Sequence, residues 1–214
     1  MARAVFFDLD GTLTDSGPGI IRCAGLALAH FGITPADRQT MGVFVGPPLR
    51  DTFARFGVPA EGIEEAVQVY RQHYNTQGKF ENTLYPGIPE TLDTLQSRGF
   101  QLFVATSKPE ELSVEILTHF DLAKYFRVIR GSMPDGSRDS KALVIQSLLN
   151  ELGQRPEAVM VGDTAFDVLG AKAHGLPTIG VSWGYGSRSD MEQAGAIRVV
   201  DTPRELLCAL DALA

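Results

Sequence analysis

Cysteine is nearly absent: Cys23 and Cys208 are the two in 214 residues. Both lie in segments with helical apolar spacing, so two reduced core thiols are expected, since unpaired cysteine packs as a small hydrophobe. Two isolated cysteines make neither a disulfide framework nor a zinc site. Basic charge is also scarce, with 19 lysines and arginines against 26 acids and a net charge of −7. That balance argues against a nucleic-acid or anionic-membrane binder, which carries a basic stripe. It does not exclude an anionic small substrate, because a local pocket can oppose the net charge. Long apolar runs are missing as well. The longest candidate, residues 23–33, is broken by His30 and Gly32, far short of the roughly 18 residues that span a bilayer. The N-terminal apolar stretch stops at Asp8, too short for a signal-peptide core, and no small-residue cleavage site follows. The expectation is a cytoplasmic protein. There is no internal repeat, no low-complexity tract and no Walker loop. Gly184-Tyr185-Gly186 runs on into Ser187 and Arg188, without the third glycine of a dinucleotide fingerprint. The four histidines, His30, His73, His119 and His174, are scattered and read as surface or helix-packing residues. Trp183 and the phenylalanines read as core.

Apolar residues make up 44% of the chain, enough for a sizeable core. Apolar β-type runs recur at 4–9, 102–106, 128–130, 158–162, 178–181 and 198–200. They are continuous rather than alternating, as in strands covered on both faces of a parallel sheet. Helical spacing fills the gaps at 92–95, 112–117 and 142–152, the clearest being Ala142, Ile145, Leu148, Leu149 and Leu152. This alternation predicts an α/β fold with a doubly wound parallel sheet. From 16 to 82 no strand is evident. Ile21, Ala24, Leu28 and Phe31 form one helical stripe, and Ile63, Ala66, Val67, Tyr70 and Tyr74 another; a short helix between them starts at Gly46-Pro47-Pro48 and runs through Phe56. The expected division is an α/β core of 1–15 and 83–214 with a small inserted α-helical domain at 16–82.

The first strand ends Asp8-Leu9-Asp10-Gly11-Thr12. Two like charges at ~4 Å and an effective dielectric of ~20 repel by about 4 kcal/mol, so a divalent cation, a lysine or protonation must compensate. Gly11 permits a sharp turn straight afterwards. The spacing is not that of an EF-hand, because position 12 counted from Asp8 is Gly19 rather than glutamate. The fourth strand ends Gly162-Asp163, with Asp167 one helical turn on. Carboxyl ends of adjacent strands converge in such a sheet, and several carboxylates there suit Mg2+. Thr106 and Ser107, after the second strand, offer hydroxyls and N–H groups ahead of a helix, a candidate anion site. Lys141 opens an amphipathic helix, where it opposes the macrodipole and calls for a negative partner.

Together these clusters resemble the haloacid dehalogenase superfamily of phosphotransferases. Asp8-Leu9-Asp10-Gly11-Thr12 is similar to its first motif, Thr106 to its second, Lys141 to its third, and Gly162-Asp163 to Asp167 to its fourth. Residues 16–82 resemble the family's α-helical cap. Phe44 to Leu49, Ala105 to Pro109 and Gly180 to Gly186 are similar to the phosphoglycolate phosphatase-like branch. The resemblance implies Mg2+-dependent hydrolysis of small phosphorylated metabolites in two steps. Asp8 would be the nucleophile that forms an aspartyl-phosphate, and Asp10 the acid and then the base. Mg2+ would lie between Asp8, the Asp10 carbonyl and Asp163, with Asp167 steering waters or Lys141. Thr106, Ser107 and Lys141 would meet the phosphoryl oxygens. Arg50 is the candidate cap residue for a distal anionic group, and Lys108 is open between phosphate contact and surface.

Phosphoglycolate is the first substrate expected and a nucleoside 5′-monophosphate the second. A β-phosphoglucomutase-like phosphotransferase uses the same two aspartates and stays open. Dehalogenase and phosphonatase readings fail because both lack an acid at the position of Asp10. A receiver-type signalling domain would lack the helical insertion, and Arg130-Gly131-Ser132-Met133 gives it no phosphorylated acid after the third strand. A non-catalytic binding descendant would be free to lose Asp8 or Asp10, and both are present. Oligomeric state is not readable.

Overall fold

In the computed structural model, residues 4–35, 37, 40–153 and 157–213 are described. Residues 1–3 of the N-terminal stretch read above lie outside them. The elements in chain order are β1 (Ala4–Phe7), β2 (Thr14–Asp15), α1 (Gly17–His30), α2 (Leu49–Arg55), α3 (Ile63–Thr76), β3 (Thr83–Leu84), α4 (Ile88–Ser97), β4 (Gln101–Pro109), α5 (Glu110–His119), β5 (Phe126–Ser132), α6 (Lys141–Leu152), β6 (Ala158–Gly162), α7 (Ala165–Lys172), β7 (Thr178–Val181), α8 (Arg188–Ala194), β8 (Arg198–Val200) and α9 (Pro203–Ala212). They fall into two compact units, Met1–Thr14 with Leu84–Ala214, and Asp15–Thr83.

The larger unit holds a six-stranded sheet in the order β5-β4-β1-β6-β7-β8, parallel throughout. This is the expected doubly wound α/β fold. Continuous apolar strands bury both faces. Val5 and Phe7 enter one core with Ile88, Leu92, Leu206 and Leu210, while Ala4 and Phe6 enter the other with Val144, Ile145 and Leu148. Strand order reverses at β1, because β4 and β5 extend to one side of it and β6 to β8 to the other. That reversal opens a crevice at the strands' carboxyl ends. Phe7 pairs with both Val104 and Val161, so the residues that follow these three run side by side.

The smaller unit is helical. The buried face of α1 is Ile20, Cys23, Ala24, Ala27 and Leu28, so Ile21 and Phe31 of the expected stripe sit at its margin. On α3 the buried positions are Ala66, Val67, Tyr70 and Tyr74, the expected stripe without Ile63. Phe44 packs on Phe53 and Phe56, and Tyr70 on Tyr74. Gly19 and Gly78 let the chain segments close: a Cβ on Gly19 would lie 2.0 Å from the Gly78 carbonyl oxygen.

Several expectations need correction. Cys23 is buried but Cys208 is exposed, because α9 buries Leu206, Ala209 and Leu210 and turns Cys208 outward. Phe80 and Phe166 are exposed at 44% and 54% and are not core. Strand β4 runs on to Pro109, which pairs with Ser132 after a register shift beyond Ala105. Thr106 and Ser107 therefore lie within the strand, and α5 starts three residues later than Ser107, with Glu110 and Glu111 in its first turn. Strands β2 and β3, two residues each, are too short to leave a period in the sequence. Among the described residues no helix is long and apolar enough to cross a membrane.

Candidate active site

Strand β1 delivers Asp8 into the crevice, where its N–H donates to the Val161 carbonyl at 2.9 Å. The chain then turns so that the Leu9 N–H donates to Asp8 Oδ1 at 2.7 Å. Gly11, with φ +82°, completes the turn; a side chain there would be strained. It would also collide, since a Cβ would sit 2.2 Å from Asp163 Oδ2. Asp8, Asp163 and Asp167 each bring a carboxylate oxygen within 4.8 Å of the others, and all three are buried.

Lys141 enters from the first turn of α6. Its Nζ lies 2.9 Å from Asp8 Oδ1 and 2.7 Å from Asp167 Oδ1, and donates to the Ala105 carbonyl at 2.9 Å. An ammonium has three donors, and these three partners fix its position. This is the negative partner that the lysine's place at a helix start required. Gly170 of α7 makes room for it, as a Cβ there would lie 2.6 Å from Lys141 Cγ. The other oxygen of Asp167 accepts from the Thr164 N–H at 3.0 Å and hydroxyl at 2.8 Å, a capping box at the start of α7. Asp167 thus stands between Lys141 and Thr164.

Asp163 is enclosed by the first-motif turn and by residues 183–186, to which sequence reasoning assigned no role at the site. Its Oδ2 accepts from the Tyr185 N–H at 2.8 Å and its Oδ1 from the Thr12 hydroxyl at 3.3 Å. A Cβ on Gly184 would meet Asp163 Oδ2 and the Gly11 carbonyl oxygen, each at 2.3 Å, and one on Gly186 would lie 1.9 Å from the Asp163 carbonyl oxygen. Trp183 Nε1 donates to the Thr12 carbonyl at 3.1 Å. The glycines around Tyr185 are there for space, and their signal was two glycines flanking one residue beyond a strand end.

The electrostatics are those of too much negative charge. Three carboxylates face one ammonium, leaving two charges unbalanced when all are ionised. Burial pushes the Asp8 carboxyl up to about 7, against the pull of Lys141 and with a further push from Asp167. Burial likewise pushes Asp163 up to about 8, with repulsion from Asp167 and Asp8 adding to it. Burial opposes the charge on Lys141, yet Asp167 and Asp8 hold its pKa above the ordinary lysine value.

Thr106 is buried and accepts the Lys108 N–H on its hydroxyl at 3.2 Å, while Ser107 is exposed. Lys108 is buried and its Nζ reaches both Asp10 oxygens, at 2.9 and 3.1 Å, which settles against a surface lysine. Arg50 lies in the helical unit in a bidentate pair with Glu64, at 2.5 and 2.9 Å. Of the histidines, His30 pairs with Glu65 at the surface and His174 packs a ring nitrogen on the Ala142 carbonyl.

Buried carboxylates and one lysine thus gather at the carboxyl ends of β1 and β6 on a doubly wound sheet. The chain belongs to the haloacid dehalogenase-like hydrolase family, whose model matches residues 5–181. It is 42% identical to a 5′-nucleotidase of Pseudomonas aeruginosa over 87% of this chain and 86% of that one. It is 44% identical to the tyrosine-protein kinase PtkA of Mycobacterium tuberculosis, over 92% of this chain and 68% of that one. Phosphoglycolate phosphatase 1 of P. aeruginosa is 33% identical over 99% of this chain and 80% of its own. Among solved structures, a predicted phosphatase from Clostridium acetobutylicum superposes with a TM-score of 0.93 at 40% identity, covering 99% of each chain. The family, the phosphoglycolate phosphatase and the solved phosphatase structure agree with the expectation of a phosphatase of the haloacid dehalogenase superfamily.

Proposed function

We propose that this chain hydrolyses small phosphate monoesters through a phosphoryl group carried on Asp8. The observation that carries this reading is the Asp8 carboxylate, buried at the end of β1 and held 2.9 Å from the Lys141 ammonium. Asp8 would attack phosphorus as the bond to the leaving oxygen breaks, and Asp10 would give that oxygen its proton. Asp10 would then take a proton from the water that attacks the aspartyl-phosphate, releasing phosphate and restoring Asp8. Lys141 and Thr106, with Ser107 beside them, are the groups proposed to meet the phosphoryl oxygens. Charge preorganised in this way is usually the largest catalytic contribution.

The donor set fits Mg2+. It offers hard oxygens, an excess of two negative charges, and carboxyls that burial raises when no cation offsets them. Asp8, Asp163 and the Asp10 carbonyl would hold the ion. Asp167, engaged by Lys141 and Thr164, would orient the lysine. When bound, Mg2+ would offset the charge of the carboxylates and of the phosphate.

The helical unit is proposed as the cap that selects the leaving group. An anionic group reaching Arg50 would have to displace Glu64. Phosphoglycolate is one candidate substrate. A nucleoside 5′-monophosphate is the second, favoured by the 42% identity to a 5′-nucleotidase against 33% to a phosphoglycolate phosphatase. Transfer to a tyrosine hydroxyl or to a sugar phosphate would use the same nucleophile with another acceptor in place of water. A panel of phosphate esters with Mg2+, read as kcat/KM, tests the reading. The ester turned over fastest identifies the substrate class, and no release of phosphate from any of them would overturn it.

A further inference from the structure

Among the described residues two lysines are buried, Lys141 and Lys108, and the chemistry above uses only the first. Lys108 grips Asp10 by both oxygens, at 2.9 and 3.1 Å, in a pair whose side chains are 5% and 13% exposed. Solvent screens such a pair little, and removing one partner strands the other's charge. The backbone beneath Lys108 is pinned on several sides. Its N–H donates to Thr106 Oγ1 at 3.2 Å. Gly131 of β5 lies against it so closely that a Cβ there would sit 2.4 Å from the Lys108 carbonyl oxygen. Two residues on, Glu110 accepts the Gly131 N–H at 3.1 Å and pairs with Arg138 at 2.9 Å. Asp10 itself sits just before the Gly11 turn, on a short side chain that two torsions can swing.

We infer that Lys108 is a positioning residue that acts through Asp10, holding its carboxylate in one orientation and so setting turnover rather than affinity for the phosphate ester. The inference rests on the reading of Asp10 as acid and base.

The test is a double-mutant cycle with p-nitrophenyl phosphate at saturating Mg2+, comparing wild type, K108M, K108R, D10N and D10N/K108M. K108M is expected to lower kcat about 10²-fold, the scale of a misplaced catalytic group, with KM within about threefold. D10N/K108M should turn over within about twofold of D10N alone, because a residue acting through Asp10 has nothing left to act on. K108R, which keeps the cation, should recover part of kcat. Should the stranded Asp10 charge unfold K108M, the D10N and D10N/K108M comparison still decides, since the Asp10 charge is absent from both. A raised KM with unchanged kcat, or a full multiplicative loss in the double variant, would overturn the inference and make Lys108 a substrate contact. Wild-type turnover by D10N is a separate outcome: it removes the acid and base reading of Asp10 itself and the inference with it.

Discussion

Replacing Gly184 by alanine adds one methyl group and removes no polar atom, so its effect isolates the packing around Asp163. The new Cβ would lie 2.3 Å from Asp163 Oδ2, 2.3 Å from the Gly11 carbonyl oxygen and 2.4 Å from Asp163 Cβ. Ordinary contact begins at 3.4 Å, so these groups must separate by 3.4 − 2.3 = 1.1 Å. The Gly11 carbonyl is backbone and Asp163 Cβ is bonded to backbone, so neither can turn aside as the far end of a flexible side chain would. Movement of that size would break the 2.8 Å bond from the Tyr185 N–H to Asp163 Oδ2. Overpacking alone costs about 1–3 kcal/mol, and disturbing groups that orient a metal ligand typically weakens metal binding about 10–100-fold. The assay is a Mg2+ titration of phosphatase activity beside thermal unfolding with and without Mg2+. We expect the Mg2+ requirement to rise by that factor and the Mg2+-induced stabilisation to shrink. Gly25→Ala is the control, because its Cβ meets nothing within 4 Å and a helical glycine-to-alanine change stabilises by about 0.4–1 kcal/mol. A Gly184→Ala protein with unchanged Mg2+ requirement and unchanged thermal stability would refute the packing argument.

Asp163→Asn should raise the Mg2+ requirement more than the substrate KM, since it removes a proposed ligand and no phosphate contact; the two titrations check this. In EDTA, stability should fall as pH rises. Burial raises Asp8 to about 7 and Asp163 to about 8 in the fold, from 3.8, so between these values the folded state holds more protons than the unfolded. Stability from these groups is therefore present below the unfolded pKa and lost as pH climbs through the folded one. Melting temperatures between about pH 5.5 and about pH 8.5 should decline, and saturating Mg2+ should remove most of the decline. Gly170→Ala should lower kcat, because its Cβ would press on Lys141 Cγ at 2.6 Å; steady-state kinetics at saturating Mg2+ and substrate measure it.

The sheet was legible because its strands are buried on both faces and read as unbroken apolar runs, such as residues 158–162 and 178–181, whose limits match β6 and β7. The acids were legible because Asp8, Asp10 and Asp163 sit at strand ends, where charge is otherwise expensive. What escaped depends on distant contact. Lys108 looks like any lysine after a strand until Asp10, 98 residues away, is seen against it. Gly184 and Gly186 show nothing in sequence of the Asp163 side chain and backbone they make room for. On α1 the expected stripe held at Ala24 and Leu28 but took Ile21 in place of Ile20, because two adjacent isoleucines are equally apolar and only tertiary packing decides which is buried.

The central claim is that Asp8 carries the phosphoryl group. Acid-quenching the Asp10→Asn protein during turnover of p-nitrophenyl phosphate with Mg2+, then mapping the label by mass spectrometry, tests it most directly. Slow breakdown in this variant should let the intermediate accumulate as a hydroxylamine-sensitive acyl-phosphate on the peptide containing Asp8, and Asp8→Asn should abolish it. A phosphoryl group found on another residue, or turnover surviving in Asp8→Asn, would contradict the account.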